Sequence, residues 1–152
     1  MADISEYPET LRDVMEMFED IDEHGRAEIL LDYSSRFQEV PSHIAQRPFP
    51  EDHRVQRCES EAYVFTEPNA DGGINFYFAV ENPQGVSAKA LAAILQESLM
   101  GEKAELIKAV PHDIVFRLFG KRISMGKGEG LLGMVALLKY FAGLTQEENK
   151  SE

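Results

Sequence analysis

The sequence predicts an α+β fold in which a small antiparallel sheet packs against helices. Two helical segments come first, a strand–turn–strand pattern follows at about residues 61–80, and helical segments then return. Helices and strands that are segregated along the chain are typical of α+β folds, whereas regular alternation would indicate a parallel sheet. We expect one domain over residues 1–144 and a polar, disordered tail over residues 145–152.

Composition narrows the class of protein. The chain has 152 residues, of which 43% are hydrophobic, as expected for a globular domain with a sizeable core. Its net charge is −12, which disfavours nucleic acid and anionic membranes as partners. No apolar run reaches transmembrane length, and the acidic start Met1–Glu6 lacks the basic and apolar regions of a secretory signal. We therefore expect a cytoplasmic protein that contacts no membrane.

The first third of the chain predicts two helices. Residues 1–7 are expected to be frayed. From Pro8, apolar residues recur at helical spacing to about Ile21, with acidic residues on the opposite face. A second helix is expected from about Ala27 to Phe37. Because the break between these helices is short, we expect them to form an antiparallel pair.

The hairpin is the clearest element in the sequence. Prolines within residues 38–57 predict an extended connection that runs over the surface. Ala62–Thr66 has strand composition, residues 68–73 are rich in turn formers, and Ile74–Val80 alternates apolar and polar positions. These patterns predict two antiparallel strands joined by a turn.

Helices are predicted again after the hairpin. Ser87 is a candidate N-cap for a helix that ends before Gly101. Residues 102–109 and 113–119 are expected to form short helices separated by a proline.

The glycine-rich stretch at residues 120–130 predicts a basic loop, and 131–141 a buried helix. A phosphate-binding interpretation of Gly126–Gly130 is weak, because Lys127 lies between glycines and no Ser or Thr follows it. A basic loop there could hold another anion or the carboxylates of a partner protein.

The only cysteine, Cys58, is the candidate nucleophile. Its neighbours Arg57, Glu59, Ser60 and Glu61 are polar, whereas a free cysteine most often serves as a small buried hydrophobe. Nearby cations would favour the reactive thiolate and the glutamates would oppose it, and the sequence leaves that balance open. A single cysteine forms neither an internal disulfide nor a cysteine-based metal cage, so we expect no metal site.

A cysteine hydrolase is an alternative that needs a histidine near the thiol. No protease signature surrounds Cys58, and no pair of histidines has metal-binding spacing. The four histidines are expected at loop, surface or cap positions: His24, His43, His53 and His112.

The segment Val55–Val64, which reads Val-Gln-Arg-Cys-Glu-Ser-Glu-Ala-Tyr-Val, resembles the signature of SufE-type sulfur-acceptor proteins. That signature typically reads Val-x-Gly-Cys-Gln-Ser-Gln-Val-Trp before a strand. The resemblance extends from about Phe18 to Phe141. It includes Lys89-Ala90-Leu91 in place of Lys-Gly-Leu, and Gly126–Leu131 in place of Ser-Arg-Ser-x-Gly-Leu. It implies a single SufE-like sandwich, a divergent member in which Arg57 replaces the usual glycine.

The resemblance implies a function in iron–sulfur cluster assembly. Cys58 would accept persulfide sulfur from a SufS-type cysteine desulfurase, stimulate that enzyme, and pass the sulfur to an iron–sulfur scaffold. Arg57, Ser60 and Lys127 would contact the thiolate, the persulfide or the partner. The protein would be a sulfur-transfer accessory protein without a cofactor of its own, since pyridoxal phosphate belongs to the desulfurase.

Another class of function remains open beside this one. The chain could be a protein-interaction module that keeps the fold and uses its acidic surface, with Cys58 incidental. A homodimer is also left open by the sequence.

Overall fold

The computed structural model describes residues 3–150, which form an α+β domain as predicted. Its helices are α1 (Glu9–Glu19), α2 (Glu23–Ser35), α3 (Val86–Leu99), α4 (Ala104–Lys108), α5 (Ile114–Phe119) and α6 (Met125–Lys150). Its strands are β1 (Ala62–Pro68) and β2 (Ile74–Val80), and short 3₁₀ turns occupy Ile4–Glu6 and Glu51–His53.

The two strands form the predicted antiparallel hairpin. Their register pairs Ala62 with Val80 and Pro68 with Ile74. Side chains alternate between the two faces of a strand, so one face carries Val64 and its partner Phe78 into the main core. α6 packs against β1, and α3 packs against β2.

The opposite face of the hairpin is covered by the proline-rich connection. Val40 and Phe49 from this connection are buried against Phe65 and Ala79. The Phe49 ring lies 5.1 Å from that of Tyr63, centroid to centroid. The connection is therefore extended, as predicted, but the prediction that it merely runs over the surface is wrong. It buries apolar side chains because a two-stranded sheet has two faces to cover.

The first two helices do not form a pair with each other. α1 packs mainly against α5 and α3, and α2 packs against α3. Arg26 of α2 joins these layers, since its guanidinium donates hydrogen bonds to the carbonyls of Arg117 (2.8 Å) and Leu118 (2.9 Å) in the last turn of α5. The predicted antiparallel pairing is wrong because the apolar faces of both helices are used by later elements.

Both ends of the chain are more ordered than predicted. Tyr7, assigned to a frayed start, is 1% exposed and donates a short hydrogen bond to Asp113. α6 continues past Phe141 to Lys150, and Thr145 is 8% exposed with its hydroxyl 2.8 Å from that of Thr66. The predicted tail is thus wrong for residues 145–150, while residues 1–2 and 151–152 lie outside the described part.

The glycine-rich loop is also shorter than predicted. α6 begins at Met125, and the backbone amide of Gly128 donates to the Ser124 carbonyl at 2.8 Å. The whole Gly126–Gly130 segment therefore belongs to a helix. Glycine has a low intrinsic helix propensity, which tertiary packing overrides here.

The capping role of Arg26 gives a stability prediction. Arg26→Met keeps the apolar stem and removes the donors to the α5 carbonyls, so we expect the free energy of unfolding in urea to fall by about 1–3 kcal/mol. Arg36→Met is the matched control, since Arg36 forms exposed ion pairs with Asp32 and Glu97 and should lose less than about 1 kcal/mol. Equal losses in the two variants would contradict the capping role.

Candidate functional site

Cys58 lies in a tight turn immediately before β1. The amide of Glu61 donates to the Cys58 carbonyl at 3.1 Å, which closes the turn over residues 58–61. Arg57 and Glu61 flank it with φ of 58° and 54°, in the left-handed region that favours glycine. Such a conformation costs about 1–2 kcal/mol for an L-residue with a side chain. The strained backbone places Cys58 in the main core, where it is 8% exposed.

The segment that follows β2 holds one side of this turn. The backbone amide of Asn82 donates to the Ser60 carbonyl, and its side-chain amide donates to the Glu59 carbonyl, both at 3.1 Å. The amide of Glu81 donates to the Glu61 carbonyl, also at 3.1 Å. Asn82 therefore fastens the turn from its backbone and its side chain together.

Glycines of α6 hold the other side. A Cβ atom on Gly130 would lie 3.2 Å from the Cys58 Cα and 3.4 Å from its Sγ. A Cβ atom on Gly133 would lie 2.9 Å from Cγ1 of Val55. The absence of side chains at these helical positions lets the segment before β1 lie directly against α6.

The Cys58 thiol borders a small cavity of about 170 Å³. Its lining consists of Cys58, Glu59, Ser60, Asn82, Gln84, Ser87, Gly126, Lys127, Gly130 and Leu131. Ser87 belongs to the first turn of α3, and Gly126 and Lys127 to the first turn of α6. Helix N-termini favour anions, so this cavity suits a thiolate or another small anionic group.

The structure brings together three of the four residues singled out from the sequence. Ser60 and Lys127 line the cavity with Cys58. Arg57 does not line it, because its side chain is 82% exposed and its guanidinium lies 4.0 Å from the carboxylate of Glu129. Backbone geometry explains this, since Arg57 occupies the left-handed position that turns the chain at the thiol.

Sequence reasoning missed several residues of the site. Asn82 and Gln84 form an Asx turn in which the Gln84 amide donates to Oδ1 of Asn82 at 2.9 Å. The Asn-Pro dipeptide is a turn signal that could have indicated it. Ser87, predicted as an N-cap, lies inside α3 instead, since the helix begins at Val86 after Gly85, and it faces the cavity. Nothing in the local sequence indicates the contact between Gly130 and Cys58.

The surroundings of Cys58 do not resemble a hydrolase or a metal site in the described residues. No histidine lines the cavity. The ring of His53 stacks on that of Phe65 and contacts the tilted ring of Phe141, with centroid distances of 4.8 Å to each. Its Nδ1 lies 2.8 Å from the Val64 carbonyl oxygen. Across residues 3–150, no group of three or more His, Cys, Asp and Glu side chains is arranged to hold a metal ion.

None of the helices within residues 3–150 combines the length and the apolarity needed to cross a bilayer.

A family model named SufE, described as an Fe-S metabolism associated domain, matches residues 12–142. The chain belongs to the SufE family. Two SufE-like proteins from two strains of Mycobacterium tuberculosis, both described as uncharacterized, are each 24% identical over 136 residues, covering 87% of this chain and 90% of theirs.

A solved structure shares the fold. The solution structure of a hypothetical protein from Thermus thermophilus has a TM-score of 0.74 and 24% identity, covering 91% of this chain and 97% of the other.

The strained turn at Cys58 differs from the SufE signature at one backbone position. The SufE signature commonly has glycine where Arg57 stands, and glycine adopts a positive φ without strain.

The hydrogen bonds of Asn82 predict how accessible the thiol is. We expect Asn82→Ala to raise the rate of Cys58 alkylation by iodoacetamide about two- to tenfold, because it removes a hydrogen bond that holds the turn closed. Gln84→Ala is the control, since its side chain lines the same cavity and makes no hydrogen bond in the described structure. Wild-type alkylation as fast as that of an exposed thiol would contradict the burial of Cys58.

The contact of Gly130 with Cys58 predicts opposite effects at two glycines of α6. Gly128→Ala should raise the free energy of unfolding by about 0.5–1 kcal/mol through helix propensity, since the added Cβ meets only Ile123 at 3.6 Å. Gly130→Ala should lower it, because the Cys58 backbone must move away from α6. Chemical denaturation measures the free energy of unfolding of both variants. An equal increase at the two positions would show that the contact between Gly130 and Cys58 has room for a methyl group.

Proposed function

We propose that this SufE-family protein is a sulfur acceptor, which takes persulfide sulfur from a SufS-type cysteine desulfurase onto Cys58 and passes it to an iron–sulfur scaffold. The observation that carries the proposal is the position of the only cysteine, at the edge of a small cavity between two helix N-termini. The family's association with Fe–S metabolism supports the same chemistry.

The transfer is a thiol–persulfide exchange. The Cys58 thiolate attacks the outer sulfur of the donor persulfide, a new S–S bond forms on Cys58, and the donor's S–S bond breaks. The donor cysteine leaves as a thiolate and the proton on the outer sulfur is retained, so no oxidant or reductant is required. One thiol is sufficient, and a second nearby cysteine would displace the sulfur by forming a disulfide.

The surroundings of the cavity support an anionic sulfur at this position. Lys127 contributes a cation and Ser60 and Ser87 contribute hydroxyl groups to the lining. The first turns of α3 and α6 add the positive ends of two helix dipoles. Arg57 lies outside the cavity beside Glu129, so we assign it to contact with the partner.

Burial of Cys58 has a consequence for the transfer. At 8% exposure, Cys58 offers little surface to a sulfur atom held on another protein. The turn over residues 58–61 has to open when the donor docks, and the strained φ angles of Arg57 and Glu61 lower the free energy that opening requires. Between transfers, burial would shield a persulfide from reductants.

Intact-mass measurement tests the proposal. After incubation with a SufS-type desulfurase and L-cysteine, we expect the protein to gain the mass of one sulfur atom, and Cys58→Ser to gain none. Lys127→Gln should still accept sulfur but more slowly, because the cavity loses its cation. An unchanged mass together with stable binding to the desulfurase would instead favour an interaction module in which Cys58 is incidental.

A further inference from the structure

The chain is strongly acidic, yet exposed cations cluster beside the Cys58 cavity. Net charge is −12 over the whole sequence. Lys121, Arg122 and Lys127 are exposed, and no ion pair involves them in the described part of the chain. We call these three residues, with Met125 between them, the basic patch.

The neighbouring arginines already have partners. Arg26 is occupied by the α5 carbonyls and lies 3.9 Å from Glu23. Arg117 lies 3.6 Å from Glu19 and 3.7 Å from Asp113. Glu19 and Glu23, which line the same side of the molecule, thus lie beside Arg117 and Arg26, whereas the cations of the basic patch form no ion pair in the described structure.

A continuous series of depressions connects the basic patch with the thiol. The first, of about 500 Å³, is lined by Lys121 and Arg122. The second, of about 410 Å³, shares Arg122 with the first and is also lined by Ser87 and Lys127. Ser87 and Lys127 in turn line the cavity of Cys58. A protein that covers the mouth of that cavity would therefore also contact the basic patch.

The same surface exposes apolar side chains. Met125 is 82% exposed, more than any other large hydrophobic residue in the described chain, and Val86 at the start of α3 is 41% exposed. Methionine is frequent at binding surfaces because its flexible side chain adapts to a partner's shape. An apolar centre with a charged surround is the usual arrangement of a protein–protein interface.

We propose that the basic patch is the docking surface for the persulfide donor, and that the donor presents carboxylates around its own persulfide cysteine. This inference rests on the proposed function. Because this chain is acidic overall, carboxylates on a donor are repelled at long range. A local basic patch would both speed the encounter and select the orientation in which Cys58 faces the donor. Met125 then packs against the donor at the centre of the contact.

Charge reversal remote from Cys58 tests the docking surface. The variant is Lys121→Glu/Arg122→Glu, which leaves every residue of the Cys58 cavity unchanged. The matched control is Lys103→Glu/Lys108→Glu, which makes the same change in net charge. Lys108 lies 3.9 Å from a Cβ on Gly143, which is about 20 Å along α6 from Gly130.

Two sulfur donors separate docking from chemistry. One is a SufS-type desulfurase supplied with L-cysteine, and the other is cysteine persulfide, a small molecule that needs no docking surface. At low ionic strength we expect the charge-reversed variant to accept sulfur from the desulfurase about tenfold more slowly or worse, in second-order rate constant. The difference in rate constant between wild type and variant should become smaller as the salt concentration rises to about 0.15 M, because the Debye length is then only about 8 Å and the charges are screened. Transfer from cysteine persulfide should not change.

Several results would overturn the inference. One is an equal deficit in the control variant or with cysteine persulfide. Another is a deficit that salt does not reduce. A third is self-association of the wild type that charge reversal abolishes, since the patch would then bind a second copy of this chain. Wild-type protein that accepts sulfur from neither donor would overturn the proposed function itself, whereas normal transfer to wild type and variant alike overturns only the docking surface.

Discussion

The close approach of the turn at residues 58–61 to α6 is the contact on which the rest of the site depends. Gly130 lets the Cys58 backbone lie close against the helix, where an added Cβ atom would be only 3.2 Å from the Cys58 Cα. From the opposite side, Asn82 and Glu81 bind three consecutive carbonyls of the turn. The Cys58 thiol is thereby held between a helix and a loop that come from distant parts of the chain.

This arrangement combines order with a low barrier to opening. The turn is held by a few hydrogen bonds, each worth about 1 kcal/mol net. Arg57 and Glu61 have left-handed backbone conformations, which destabilise the closed turn by an amount comparable to the contribution of these hydrogen bonds. In the proposed transfer, a balance of this kind would allow a docking partner to expose the thiol without unfolding the hairpin that follows it.

Charged groups of both signs surround the Cys58 cavity. The sequence has a net charge of −12, and the exposed cations of the basic patch lie beside the cavity. Glu59 lies at the cavity as well, so the local field at the thiol is mixed, and the helix N-termini of α3 and α6 contribute to its positive side. In the proposed function, recognition of the donor and stabilisation of a sulfur anion would use adjoining parts of one surface.

The sequence by itself determined the α+β class and the hairpin, because alternating strands and turn residues are local patterns. It also singled out Cys58 as a lone cysteine with polar neighbours. It also carried the SufE resemblance, which the family match confirmed. It could not determine that Asn82, Ser87 and Gly130 meet at the thiol, or that Tyr7 and Thr145 are buried. Those facts depend on contacts between residues far apart in the chain, and only the tertiary structure decides which distant surfaces pack together.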